Sequence, residues 1–147
     1  MTASCWDHAQ PFVLDVQVEP AMIDHYQHVN NAEYLRWIEQ VSWAHSESLG
    51  LSFADYQRLD RAMVVQRHEI DYLAAAFEDE TLSLATWIVA CDRRFSLTRH
   101  FQLRRAADDK TLLRAQTHFA CVALSSGRPR RMPEEMAKIY GAAVISL

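Results

Sequence analysis

Apolar and polar positions alternate near the start of the chain and then change to a helical spacing. Apolar side chains stand at every second position from 12 to 18, Asp15 and Gln17 lie between them, and Pro20 follows. A period of two that stops at a proline predicts a half-buried strand. From residue 31 to 49 the period changes, because one face recurs at steps of three and four: Tyr34, Leu35, Ile38, Val41, Ala44, His45 and Leu49.

This second segment has the residues that start and stop a helix. Asn30 is a suitable N-cap, Glu33 three positions later approaches a capping box, and Gly50 is placed to end the helix. A helix over 31–49 would be roughly 28 Å long at 1.5 Å per residue. That length predicts the central helix of a small domain.

The rest of the chain is mostly strand. Four apolar-rich segments, 63–73, 81–91, 96–105 and 112–124, are separated by short polar turns, which predict an antiparallel meander. A short helical turn over 52–59 precedes them, and a final helix is expected from Pro133 to Gly141. One long helix against one antiparallel sheet predicts a two-layer α+β fold and a single domain over 1–147.

Composition excludes several classes of protein. The net charge is −4 with no basic block, so nucleic acid is not an expected partner. No apolar run approaches the ~20 residues of a membrane span, and residues 1–11 resemble a loose leader without signal-peptide features. Cys5, Cys91 and Cys121 are widely spaced and odd in number, so we expect reduced thiols in a cytoplasmic protein.

Candidate chemistry is concentrated in residues 23–31, directly before the long helix. The segment holds one carboxylate, Asp24, and two histidines, His25 and His28. A helix start offers unpaired N–H groups and a field that favours negative charge. His25 and His28 would need a remote third ligand such as His68 to bind a metal, so no metal site is expected. The chain has no Gly-x-Ser-x-Gly elbow and too few glycines for a phosphate loop.

The same segment resembles a known family. His28-Val29-Asn30-Asn31, with Asp24 before it and Tyr34-Leu35 and Glu39 after it, is similar to the signature of hotdog-fold acyl thioesterases of the 4-hydroxybenzoyl-CoA thioesterase group. The phrase Gln27 to Asn31 also resembles plant acyl-ACP thioesterases. The resemblance implies a hotdog fold, in which an antiparallel sheet wraps one central helix, and a homodimer or homotetramer with its site at the subunit seam. An unpaired sheet edge independently favours dimerisation.

The resemblance also implies roles for individual residues. Asp24 would be the general base or nucleophile against an acyl thioester, and the backbone N–H of Asn31 would polarise the carbonyl. His28 matches the histidine of the plant enzymes and would be a catalytic residue that orients water or substrate; the alternative is a neutral imidazole that caps or packs the loop. Tyr26 stands where those enzymes have an asparagine, and only Ala74, Ala75 and Ala76 stand where they have a late acid. These departures favour a mechanism of Asp24 plus the helix N-terminus.

Substrate contacts are expected in two places. The first is the loop and the helix start, where Tyr26, Asn30 and Tyr34 are candidates. The second is the basic cluster Arg128, Arg130 and Arg131, which is either a solvated turn or a clamp for the phosphates of coenzyme A. The expected function is acyl-CoA or acyl-ACP thioester hydrolysis with no cofactor beyond the substrate's own coenzyme A. Alternatives are a hotdog dehydratase or hydratase and a catalytically silent acyl-CoA-binding module.

Overall fold

The computed structural model describes residues 6–146. The strands are β1 (Phe12–Gln17), β2 (Ala62–Tyr72), β3 (Thr81–Cys91), β4 (Ser96–Arg105) and β5 (Thr111–Val122). The α-helices are α1 (Asn31–Ser48), α2 (Phe53–Leu59) and α3 (Glu134–Ala143). These bounds lie within two residues of the predicted ones, whereas the short 3-10 helix Pro20–Met22 has no counterpart in the prediction.

The five strands form one antiparallel sheet in the order β1-β3-β4-β5-β2. Strands β3, β4 and β5 form the expected meander, but the placement of β2 beside β3 is wrong. Strand β2 pairs with β5 instead, with Ala62 opposite Val122 and Tyr72 opposite Leu113. The reason lies in residues 73–80, which do not close a hairpin: Ala76 is buried, and its carbonyl accepts a hydrogen bond from the Val29 N–H at 3.0 Å.

Helix α1 lies across one face of this sheet and forms the main core with it. Its buried side chains Tyr34, Trp37, Ile38 and Val41 pack against apolar residues of the strands: Val16, Leu82, Leu84, Phe101, Leu103, Leu113 and Ala115. Burial of a large apolar side chain contributes about 1.5–3 kcal/mol, so this stripe is a major part of the stability. The packing confirms the predicted two-layer α+β arrangement.

The ends of α1 are capped largely as predicted. The Asn30 side chain accepts a hydrogen bond from the Ala32 N–H at 2.9 Å. Glu33 does not complete a capping box, because the Asn30 N–H donates to the Met22 carbonyl instead. At the other end, Gly50 has a φ of +96°, and the Leu51 N–H returns to the Ser46 carbonyl at 2.9 Å. This left-handed residue ends the helix as the glycine predicted.

A second apolar cluster holds α2 and α3 against the far half of the sheet. It contains Leu51, Tyr56, Ile88, Leu97, Cys121, Met132, Met136 and Tyr140. The prediction that α3 ends at Gly141 is wrong, because the helix continues to Ala143. A Cβ at Gly141 would lie 2.4 Å from Arg93 Nε, so this glycine permits a close side-chain approach. Within residues 6–146 no helix has the length and hydropathy to cross a membrane.

Residues 6–10 are not loose, contrary to the prediction for the leader. They lie on the face of the sheet opposite α1, where Asp7 forms an ion pair with Arg114 at 2.7 Å and the Trp6 ring lies 4.5 Å from the Arg104 guanidinium carbon. The Trp87 indole N–H also donates to the Ala9 carbonyl at 3.0 Å. The prediction missed these contacts because they join positions more than 75 residues apart, Ala9 and Trp87 being separated by 78.

Among the described residues the thiols of Cys91 and Cys121 are free, and Cys5 lies outside this part of the chain. Burial raises the pKa of Cys121 to about 11. Its thiol therefore stays protonated at neutral pH, and it behaves as a small apolar side chain of the second cluster.

Candidate active site

The loop before α1 is a tight antiparallel turn. Ile23 pairs with Val29, the Asp24 N–H donates to the His28 carbonyl at 2.8 Å, and Gln27 has a φ of +64° at the tip. Val29 is 2% exposed and anchors the returning arm in the core. The turn therefore holds Asp24 at a defined place beside the start of α1.

Asp24 is partly buried, and its carboxylate makes few hydrogen bonds within the described residues. Its Oδ1 accepts a hydrogen bond from the Tyr26 N–H at 2.9 Å, which closes an Asx turn. In the part of the chain that the structure describes, no cation lies within 4.0 Å of this carboxylate. A carboxylate with one oxygen held and the other available is suited to accept a proton or attack a carbonyl carbon.

The N-terminus of α1 supplies the second chemical element. Asn31 is the first helical residue, so its N–H has no acceptor within the helix, while the Asn30 side chain already occupies the Ala32 N–H. The partial positive charge of a helix N-terminus favours an anion there. Since Ile23 pairs with Val29 and α1 begins two residues later, the backbone of Asp24 lies close in the fold to the start of α1.

The other loop residues predicted for the site are exposed. Tyr26 is 81% exposed, and the side chains of His25, His28 and Asn30 are also open to solvent. The His28 ring packs edge-on against Phe77 at 5.3 Å. His68 lies away from the loop on β2, where its Nδ1 meets the Thr117 hydroxyl at 2.7 Å. Among residues 6–146, no three His, Cys, Asp or Glu side chains are arranged to hold a metal ion.

Two tyrosines lie beneath the start of α1. Tyr34 is 4% exposed, and its hydroxyl accepts a hydrogen bond from the Ala76 N–H at 3.3 Å. Burial raises the pKa of Tyr34. Tyr72 packs edge-on against Tyr34 at 5.4 Å, and its hydroxyl lies 3.5 Å from the Asn31 carbonyl. In this conformation Tyr34 supports the helix start from below, and Tyr72 is the more exposed of the two.

The loop that follows β2 contacts the turn, and its acids Glu78 and Asp79 are exposed to solvent. Ala74, Ala75 and Ala76 lie in the first part of this loop, and none of them carries an acidic group. The nearby Glu80 forms an ion pair with Arg105 and accepts a hydrogen bond from the Phe77 N–H at 2.6 Å. Glu80 therefore holds the loop, and Asp24 is the carboxylate best placed for chemistry.

The basic cluster lies at the opposite end of the sheet. It follows β5, whose last residue Val122 pairs with Ala62 at the start of β2, while Asn31 lies near Tyr72 at the end of β2. An eleven-residue strand such as β2 is roughly 35 Å long. Arg128, Arg130 and Arg131 are exposed, and Arg130 lies 3.7 Å from Asp60. Within one subunit the cluster and Asp24 are thus far apart.

A buried arginine is the feature that the sequence reasoning missed. Arg99 of β4 is 1% exposed, and its guanidinium donates to His45 Nδ1 at 2.7 Å and to the Ser46 hydroxyl at 2.9 Å. Burial and the adjacent guanidinium charge lower the pKa of His45 to about 4. The signal was present, because Arg99 interrupts the apolar alternation of Leu97, Phe101 and Leu103.

Comparison with known proteins identifies the family of this chain. A profile of the thioesterase-like superfamily matches residues 18–139, which include the turn, α1 and all strands from β2 to β5. The chain belongs to the thioesterase-like superfamily. The predicted enzyme class, a thioester hydrolase, is thereby confirmed at the level of the family. No curated protein matches the chain.

Solved structures of two thioesterases and of one hypothetical protein share the fold of this superfamily member. A 1,4-dihydroxy-2-naphthoyl-CoA thioesterase from Synechocystis superposes with a TM-score of 0.79 at 22% identity, covering 94% of this chain and 98% of that one. A hypothetical protein from Staphylococcus aureus, solved in complex with CoA, gives 0.83 at 18% identity, with 94% and 88% covered. A 12:0-ACP thioesterase from Umbellularia californica gives 0.82 at 16% identity, with 95% and 56% covered. These likenesses confirm the predicted hotdog fold.

Proposed function

We propose that this protein hydrolyses an acyl-CoA thioester to a free carboxylic acid and coenzyme A. The observation that carries the proposal is the junction of Asp24 with the N-terminus of α1, because it combines a carboxylate with an N–H donor at the start of a helix. The superfamily supports thioester hydrolysis in general. The CoA complex of the similar Staphylococcus aureus protein supports CoA as the carrier, with acyl-ACP as the second carrier to test.

The proposed reaction uses only groups of this chain and water. The thioester carbonyl oxygen accepts a hydrogen bond from the Asn31 N–H, which stabilises the negative charge that develops when the carbonyl carbon is attacked. Asp24 either takes the proton from the attacking water or attacks the carbon itself. The carbon–sulfur bond then breaks and the thiolate leaves; in the water route it takes the proton that Asp24 accepted. In the direct-attack route the product is an anhydride between Asp24 and the acyl group, and water hydrolyses it to the free acid and Asp24, with one proton of that water going to the thiolate. Tyr26 and Asn30 border the approach to this carbonyl, and His28 lies beside them.

A panel of acyl-CoA esters with free-thiol detection tests this function. Purified protein should release coenzyme A from at least one ester, and the profile of chain length and aromaticity should define the acyl pocket. Acyl-ACP esters with the same acyl groups form the second arm and compare the carriers. Binding without thiol release from any ester would favour the silent acyl-CoA-binding module, and water addition to an unsaturated ester would favour the hydratase.

We further propose that two chains pair through their β2 strands. Strand β2 is the last strand at one side of the sheet, eleven residues long, and Val64 and Val65 on it are each 41% exposed. An exposed edge of this length is a template for another strand. Two identical edges related by a twofold axis pair antiparallel, so the end of β2 in one subunit lies beside the start of β2 in its partner.

This pairing brings together features that are far apart in one chain. The turn with Asp24 lies near Tyr72 at the end of β2, whereas the basic cluster lies near Ala62 at its start. The twofold axis places the basic cluster of one subunit at the same end as the Asp24 turn of the other. We infer that Arg128, Arg130 and Arg131 bind the phosphates of a CoA whose thioester lies at the partner's Asp24.

Replacing Val64 by aspartate should weaken the dimer. Two valines per dimer lose burial worth about 1.5 kcal/mol each, so the dissociation constant should rise about a hundredfold. An antiparallel register also puts the new charge near the acids Glu69 and Asp71 of the facing strand. Val13→Asp is the matched control, since Val13 is 39% exposed on β1 at the other edge. Sedimentation showing equal masses for both variants, or an active monomer, would contradict β2 pairing.

Replacing Arg128, Arg130 and Arg131 together by alanine should raise KM for the acyl-CoA about tenfold with kcat nearly unchanged. Phosphate contacts of this kind are present equally in the ground state and the transition state. The backbone contacts should survive, since the Arg130 N–H bonds to Cys121 and the Arg131 carbonyl accepts from Arg61. Arg36→Ala combined with Lys110→Ala is the charge control. High salt should imitate the triple variant, and an unchanged KM would assign the cluster to solvent.

A further inference from the structure

A cavity lies between the second half of α1 and the start of β2. Its walls are mainly apolar or aromatic, and it opens beside the free edge of the sheet near Trp43, which is 40% exposed. Its lining includes Ile38, Trp43, Met63, Leu97, Phe119 and Arg99. A hydrocarbon chain fits such walls, and Arg99 adds one buried positive charge at the inner side.

The charge of Arg99 has only neutral partners within the described chain. His45, whose pKa is about 4, is neutral at pH 7 and accepts one hydrogen bond, and the Ser46 hydroxyl accepts another. The Tyr140 hydroxyl is a third neutral partner of the guanidinium, and it is hydrogen-bonded in turn to the hydroxyls of Ser46 and Tyr56. No carboxylate in residues 6–146 lies within 4.0 Å of the guanidinium.

A buried guanidinium without a counter-charge attracts an anion into its cavity. Desolvation costs several kcal/mol for a buried ion, and a paired carboxylate offsets much of that cost. Glu39 also lines the cavity, but its side chain is exposed at the rim. Burial lowers the pKa of His68, and the charge of Glu39 offsets only part of that effect. The cavity therefore has an apolar wall and a cationic inner side, which together suit a ligand with an apolar stem and an anionic tip.

We propose that the acyl group cleaved by this protein carries a carboxylate at its far end and that Arg99 binds this carboxylate. The proposal rests on the hydrolase function and the β2 pairing, because the twofold axis puts the cavity of one subunit at the same end of the sheet as the partner's Asp24. The methylene stem lies along Ile38, Met63 and Phe119. Arg99 is thus a residue that determines substrate specificity and takes no part in bond cleavage.

A matched pair of esters tests the preference directly. Octanoyl-CoA and 7-carboxyheptanoyl-CoA have the same chain length and differ only in the terminal carboxylate. The parent protein should show a kcat/KM at least about tenfold higher for the carboxylated ester. Arg99→Gln should lower that ratio at least tenfold, and Arg99→Lys should retain part of it. A merely structural arginine would change both esters equally.

A binding measurement tests the preference for a carboxylate without relying on catalysis. Octanoate and octanamide share a chain and differ in the charge of the tip. Isothermal titration of the parent protein should give a Kd for octanoate at least about tenfold below that for octanamide. If no ester of the panel is hydrolysed, the hydrolase function is wrong, and loss of the octanoate preference in Arg99→Gln then tests whether Arg99 binds the carboxylate. Equal affinity for the two probes, or a preference for octanoyl-CoA, would overturn the proposal.

Discussion

Asp24→Asn is expected to lower kcat by a hundredfold or more with little change in folding or in ligand affinity. The amide keeps the size of the side chain, and its oxygen still accepts the hydrogen bond from the Tyr26 N–H that closes the turn. It cannot take a proton from water or attack the acyl carbon. Because the helix N-terminus is unaltered, the carbonyl should still bind, and the loss should fall on the rate.

The matched control for this variant is Asp79→Asn. Asp79 is an exposed acid in the neighbouring loop, and its φ of +65° is a backbone conformation that asparagine also adopts readily. Its replacement should leave kcat unchanged. If Asp24→Asn keeps more than about a third of the parental turnover, Asp24 is only a turn residue, and His28 becomes the next residue to replace.

Asn31→Pro is expected to lower kcat by about a hundredfold, the scale of losing one oxyanion donor. Proline is well tolerated at the first position of a helix, where its missing N–H breaks no helical bond. The preceding Asn30 already has φ −59° and ψ 136°, in the region that a residue before proline requires. The substitution therefore removes one N–H group and leaves the helix start in place.

Asn31→Ala is the matched control for the proline variant. It removes the side chain and keeps the N–H, so kcat should stay within a few-fold of the parent. Circular dichroism and thermal unfolding would show that both variants have kept α1. Equal kcat values for the alanine and proline variants would show that this N–H does not bind the oxyanion, and the donor would have to be sought elsewhere in the first turn.

The elements could be predicted from sequence because their signals are local. A period of two or of 3.6, an asparagine cap and a glycine stop each depend on a few neighbouring residues, and α1 illustrates all three kinds of signal. The pairing of β2 with β5 depends on contacts across about fifty positions, for example His68 with Thr117 at a separation of 49. No local pattern encodes that choice, which is why the meander expectation placed β2 wrongly.

The residues of the candidate site also fall into two groups, those with a local sequence signal and those whose contacts are distant in sequence. Asp24 and Asn31 were predicted because they adjoin one helix start in the sequence. The Arg99 cluster was not, since its partners His45 and Tyr140 come from separate helices and become neighbours only in the folded chain. A single charged residue in an apolar alternation has several structural explanations, and only the folded structure shows that Arg99 is buried among neutral partners.

The two edge strands of the sheet differ in length, and this difference affects how many chains can join edge to edge. The β2 edge is eleven residues long, whereas β1 at the other edge has six residues and is bordered by Pro11 and Pro20. Proline cannot donate to a neighbouring strand, and short edges template growth poorly. Once two β2 edges have joined, only the two short β1 edges remain. Under the proposed β2 pairing, the joined sheet would therefore end in two edges that template growth poorly, and its geometry would oppose the open-ended stacking from which fibrils grow.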